Sequence, residues 1–154
     1  MGNVPSLPRL LGLAGLLPEL ACLALVLLSA QNDWRDGAIA AAALYAGLIL
    51  SFLGGTWWGI AAAAPAAERR HALGWVWWAA ILASLLGFGA LLLPLVGGPW
   101  PQPSLVMLGA ALLLSPIVDA RLATSGIAPP WWTRLRVPLS LGLGGVTFAL
   151  GFIA

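Results

Sequence analysis

Five apolar stretches, each near 20 residues or longer, leave this chain few ways to fold: 10–30, 37–64, 72–93, 104–123 and 135–154. A helix needs about 20 apolar residues to cross a bilayer, so each stretch predicts a spanning helix. The breaks between them are short and rich in turn formers: Gln31-Asn32-Asp33, Pro65, Pro94 to Pro103 and Ser125 to Pro130. None is long enough to hold a soluble domain. Residues 1–154 therefore form a single transmembrane domain. The expected fold is an all-α integral membrane protein, a five-transmembrane-helix bundle. No internal repeat is visible, and five spans do not divide into two equal halves, against an inverted-repeat transporter.

Composition excludes several function classes. Hydrophobic residues make up 61% of the chain and charged residues 8%, where a soluble domain carries roughly 25% charge. No basic run or patch suggests nucleic acid. Cys22 is the single cysteine and lies in an apolar run, which excludes a disulfide framework and a multi-cysteine metal site. His71 has no second histidine and only Glu68 as a nearby acid. It reads as an interfacial residue, and no metal is expected.

The first span has features of a signal peptide, with Arg9 before an apolar run and Leu28-Ser29-Ala30 as a passable cleavage site. The run is long for that role and carries Pro18 and Glu19 in its middle, so an uncleaved helix is expected. Arg9, Arg69, Arg70, Arg121, Arg134 and Arg136 fall on the side of the N-terminus and of the second and fourth loops. Only Arg35 falls opposite. The positive-inside rule then places the N-terminus in the cytoplasm and the C-terminus in the periplasm. No Arg- and Ser-rich transit peptide precedes the first span, which favours a bacterial inner (cytoplasmic) membrane.

The second span is the expected hub. Ala43, Gly47, Ser51, Gly55 and Gly59 recur at a spacing of four, and residues four apart share a helix face. A face of small residues lets another backbone approach closely, the usual basis of helix association in lipid.

Seven of the nine Trp collect at the cytoplasmic end of that arrangement: Trp57, Trp58, Trp75, Trp77, Trp78, Trp131 and Trp132. One reading is an interfacial aromatic belt. A second is a ligand site lined by Trp57, Trp58, Trp78 and Trp132, where indoles stack on a flat or lipophilic molecule and arginine holds an acidic group. A third is an aromatic surface for a partner protein.

Ionisable residues inside spans are costly and point to a function or a named partner. Glu19 lies about nine residues into the first span, roughly 14 Å deep. It shares a face with Gly12, Gly15 and Cys22, so its carboxyl points into the bundle. Tyr45 enters from the other side to a depth that agrees within about one helical turn, which permits a Glu19–Tyr45 hydrogen bond. Pro18 cannot donate to the helix ladder and leaves a carbonyl free nearby. Glu19 serves either as a protonated structural link or in proton handling. Asp119 lies late in the fourth span on a stripe with Ala111, Ser115 and Ala123 and also faces inward. Arg136 is its expected ion-pair partner. The alternative makes the pair the polar floor of the tryptophan site, with Pro116 bending the helix to admit a ligand.

Phe52-Leu53-Gly54-Gly55-Thr56-Trp57-Trp58-Gly59, the inward Asp119, and Pro130-Trp131-Trp132-Thr133-Arg134-Leu135-Arg136 with Pro138-Leu139-Ser140 resemble the transmembrane protein 69 family. These are small bacterial and mitochondrial membrane proteins of unknown function. The resemblance implies a five-span inner-membrane protein and no settled activity. The family often has His at the position of Trp57 and Tyr at that of Trp132. Size, span count and Trp richness also resemble the tryptophan-rich sensory (translocator) proteins, which bind tetrapyrroles or sterols.

No nucleophile elbow, P-loop, dinucleotide fingerprint or metal-binding helix motif is present, so nothing names an enzyme or a cofactor. The reading that follows is a non-enzymatic membrane protein that binds a pigment, quinone, tetrapyrrole or lipid at the Trp/Arg-rich cytoplasmic side. The alternatives are an accessory or assembly subunit of a respiratory or photosynthetic complex, and a small transporter using Glu19 as proton carrier.

Overall fold

A computed structural model describes residues 4–29, 33–64 and 73–154. Arg69, Arg70, His71 and Glu68, assigned above to the second loop, lie outside the described residues. The described residues are helical, without strands. The helices are α1 (Ser6–Ala14), α2 (Leu17–Leu28), α3 (Asp33–Ala63), α4 (Gly74–Leu95), α5 (Gln102–Thr124) and α6 (Trp132–Ile153). Five are long and apolar enough to cross a membrane when α1 and α2 are taken as one, Ser6–Leu28.

The first span is broken, and Pro18 explains where. A proline nitrogen has no hydrogen for the carbonyl four residues back, and its ring clashes with that carbonyl. For Pro18 the carbonyl is that of Ala14, the last residue of α1. The chain turns through Gly15 and Leu16, and Pro18 then sits in the first turn of α2. α3, α5 and α6 each begin before the expected apolar run, and α4 is shifted two residues later. α3 starts among Asp33, Trp34, Arg35 and Asp36, where acidic residues suit a helix N-terminus. α5 runs unbroken through Pro116.

Successive spans alternate in direction, with α1 and α2 together forming the first. Arg35 Nη2 donates to the Ile153 carbonyl at 2.6 Å and ties the start of α3 to the end of α6. At the other end, the last turns of α3 and α5 meet the first turns of α6 around Asp119. As expected, α3 is the hub: it touches α2, α4, α5 and α6.

The face by which α3 packs is not the one expected. Ala43 and Gly47 are buried, but Ser51, Gly55 and Gly59 are exposed. The reason is helical geometry. A step of four residues overshoots one turn by about 40°, so four such steps carry Gly59 roughly 160° round from Ala43. The buried stripe alternates steps of four and three instead: Ala43, Gly47, Leu50, Gly54, Trp57 and Ala61. That is the heptad spacing of helices packed at a shallow crossing angle. α4 answers with Val76, Ala80, Ala83, Gly87 and Ala90. Contact is closest where backbones meet. A Cβ on Gly54 would collide with the Ala80 carbonyl, and one on Gly87 would lie 3.2 Å from the Gly47 carbonyl. Ser51 and Ser84 share a hydrogen bond of 3.1 Å at the rim of this seam. The α5–α6 seam is equally close: a Cβ on Gly109 would lie 2.5 Å from the Phe148 nitrogen.

Candidate ligand site

The same heptad stripes carry the polar groups. α5 buries Leu105, Leu108, Leu112, Ser115, Asp119 and Leu122; α6 buries Arg136, Ser140, Leu143, Thr147 and Leu150. Packing α5 on α6 therefore brings Asp119, Ser115, Arg136 and Ser140 together.

Asp119 is fully buried. Its Oδ1 accepts the indole N–H of Trp57 at 2.9 Å and that of Trp132 at 2.8 Å. Its Oδ2 accepts Arg136 Nε at 3.2 Å, which is also an ion pair. A buried carboxylate is tolerated when paired and hydrogen-bonded, and three donors from α3 and α6 meet that condition.

A chain of hydrogen bonds leads on from Arg136. Its Nη2 lies 3.1 Å from Ser140 Oγ, Ser140 Oγ lies 2.9 Å from Ser115 Oγ, and Ser115 Oγ lies 2.8 Å from the Leu112 carbonyl. Each hydroxyl has one hydrogen. Ser115 donates to Leu112, so Ser140 donates to Ser115 and accepts from Arg136.

Beside this cluster is a partly open cavity of about 400 Å³ lined by α1, the α1–α2 turn, α3, α5 and α6. Its walls are mainly aliphatic, with Leu11, Leu16, Ile49, Leu53, Leu112, Leu139 and Leu143. Trp131, just before α6, and Trp132, Arg136 and Ser140 in its first turns also line it. Thr56 also lines it, but its hydroxyl donates to the Phe52 carbonyl at 2.9 Å. The Trp131 and Trp132 rings lie 6.0 Å apart at 55°.

Residues 4–152 match the model of a family described as "Protein of unknown function (DUF3429)". The chain belongs to the DUF3429 family. No curated protein and no solved structure matches it. DUF3429 membership thus assigns no activity, and the site geometry must supply the functional reading.

Of the residues singled out in this DUF3429 chain, Trp57, Asp119, Trp132 and Arg136 form one cluster, and Trp132 and Arg136 face the cavity. Trp57 stands behind Asp119 rather than on the cavity wall. Trp58 and Trp78 lie outside the site. Trp58 packs edge-on against Trp77 with centroids 4.5 Å apart, and Trp78 is 71% exposed. Trp75 carries Arg121 over its ring at 5.9 Å.

Glu19 and Tyr45 do not bond to each other. Tyr45 donates to the Gly15 carbonyl at 2.5 Å, the carbonyl freed at the α1–α2 break. Glu19 Oε1 instead lies 2.6 Å from the Thr147 hydroxyl, which also lies 2.9 Å from the Leu143 carbonyl. Among the described residues Glu19 Oε2 and Ser104 Oγ are buried without a hydrogen-bond partner. Thr147, Ser115 and Ser140 do not stand out as site residues in the sequence. Their signal is there all the same: all three sit on heptad stripes with Asp119 or Arg136.

Proposed function

We propose that this DUF3429 protein is a non-enzymatic, multi-pass membrane protein that holds a neutral lipophilic molecule in the cavity beside Asp119 and Arg136. The observation that carries this reading is an apolar cavity with a few convergent polar groups, the usual form of a small-molecule site. Its volume, about 400 Å³, falls within the usual range for such sites. Arg136 is already neutralised by Asp119, so a carboxylate or phosphate entering the cavity would find no free countercharge there. A carbonyl acceptor, as in a quinone or an ester, suits the remaining guanidinium hydrogens and the Trp132 ring. The resemblances to the transmembrane protein 69 family and to the tryptophan-rich sensory proteins supply no part of this reading. In the proposed orientation the N-terminus and the cavity lie toward the cytoplasm of a bacterial inner membrane.

The test is a titration of purified full-length protein with decylubiquinone as probe, reading bound quinone by mass spectrometry. Saturable one-to-one binding is expected, and Ile49→Phe with Leu143→Phe should remove it by filling the cavity. Binding that never saturates, or that survives the filled cavity, would sink the reading.

A second reading, an accessory subunit of a larger membrane complex, has its own observation. Gly55 and Gly59 are exposed on α3 with open space beside them, and Gly55 lines a shallow groove with Trp58, Ala80 and Ser84. Such a surface suits another helix. Purification from native membranes in a mild detergent distinguishes the two: a large stoichiometric complex favours the subunit role.

A further inference from the structure

Arg9 of α1 and Arg134 of α6 line one surface cleft of about 710 Å³. Both are exposed. No acidic residue lines the cleft, and the ion pair between Arg136 and Asp119 involves neither arginine. Two positive charges on different helices thus face a common space without a countercharge from the described residues.

The rest of the lining is apolar and ordered along the helices. Arg134 lies in the first turn of α6, and Pro138 and Leu139 follow a turn or more further into the bundle. Leu13 lies one turn beyond Arg9 on α1. Charge stands at the end of the bundle and aliphatic surface runs inward from it. A soluble anion would use only the first of these features. A phospholipid would use both, with its headgroup at the arginines and an acyl chain along the leucines.

We propose that this cleft binds an anionic phospholipid, whose phosphate bridges Arg9 and Arg134. Guanidinium groups pair phosphate oxygens through two parallel N–H bonds, and basic pockets between membrane helices take anionic lipid headgroups. The bridge acts on the least anchored element of the fold. α1 buries none of its residues and packs against α6, where a Cβ on Gly12 would lie 2.7 Å from Leu139 Cδ1. Leu11 and Gly12 of α1 also wall the ligand cavity, and Leu135 and Leu139 line both spaces. A lipid joining Arg9 to Arg134 therefore clips the cavity wall to α6. The lipid site does not depend on what the cavity holds.

Native mass spectrometry of the full-length protein in detergent tests it, with dioleoylphosphatidylglycerol and dioleoylphosphatidylcholine as probes. Wild-type protein is expected to bind the anionic lipid about tenfold more tightly than the zwitterionic one. The exposed pair Arg9→Gln and Arg134→Gln should bring the ratio close to one, Arg134→Gln alone should lower it about threefold, and Arg121→Gln, on α5 over Trp75 of α4, should leave it unchanged. Equal affinities in the wild type, or a preference that survives the double substitution, would overturn the proposal. So would saturable binding of inorganic phosphate alone that depends on both arginines, which would assign the cleft to a soluble anion.

Discussion

Trp57 and Trp132 donate their indole N–H groups to the same oxygen of Asp119, from α3 and α6 respectively, at 2.9 and 2.8 Å. One carboxylate oxygen on α5 thus joins three helices. Indole has a single donor and no acceptor, so each tryptophan is fixed in orientation by this bond.

The two indoles are predicted to be non-additive. Trp57→Phe or Trp132→Phe alone leaves Oδ1 with one donor and should cost about 1.5–3 kcal/mol, the usual worth of a hydrogen bond to a charged group. Replacing both orphans a buried charged oxygen and should cost more than the sum by at least 0.5 kcal/mol or so. Unfolding of the four proteins in mixed detergent micelles measures the coupling; simple additivity would mean the two bonds act independently.

Arg136→Met removes the only cation paired with Asp119 among the described residues. Breaking a buried pair from one side costs about 3–5 kcal/mol, because the other charge remains. Arg136→Lys keeps the charge but loses the fork that reaches Asp119 and Ser140 together, so it should fall between the two. A Lys variant as stable as wild type would show that charge alone matters here.

Adjacent glycines on α3 should respond oppositely. Gly54→Ala drives a methyl into the Ala80 carbonyl and against Ala83, and overpacking of this kind costs about 1–3 kcal/mol. Gly55 has open space around its Cβ direction, so Gly55→Ala should be neutral or stabilise by up to about 1 kcal/mol through helix propensity. Thermal unfolding in detergent gives both values. Equal destabilisation would mean that the exposed face is covered by another helix.

Thr147→Val should cost about 1–3 kcal/mol, since it takes away the hydrogen-bond partner of Glu19 Oε1 and leaves a buried carboxyl. Thr147→Ser keeps the hydroxyl and should cost less than about 1.5 kcal/mol. Glu19→Gln retains a carbonyl acceptor for Thr147 and should preserve expression and folding. A Val variant indistinguishable from Ser would show that the hydroxyl contributes nothing.

The inward direction of Asp119 and Glu19 is legible in the sequence, because a lone acid in an apolar run has nowhere else to go. Pairing of Asp119 with Arg136 also follows, since both lie at the same end of neighbouring helices. Placement of the tryptophans does not follow. Trp57 and Trp58 are consecutive, yet one is 3% and the other 47% exposed. Hydropathy assigns them the same end of the bundle and says nothing about rotation by a further 100° or so. Glu19 shows the same gap: depth alone makes Tyr45 its partner, whereas the bundle presents Thr147.

Local chemistry alone settles that the chain makes five long apolar helices joined by short breaks, because length and hydrophobicity belong to each segment separately. It does not settle the break before Pro18, because α5 and α6 run unbroken through Pro116 and Pro138. Tertiary packing decides the rest. A stripe of small residues at steps of four drifts round the helix, and packing at steps of four and three chooses Gly54 over Gly55 and Trp57 over Trp58. The Asp119 cluster and the cavity beside it need α3, α5 and α6 in place at once. α3 is far from α5 and α6 in the chain, and no single segment holds the information that joins them.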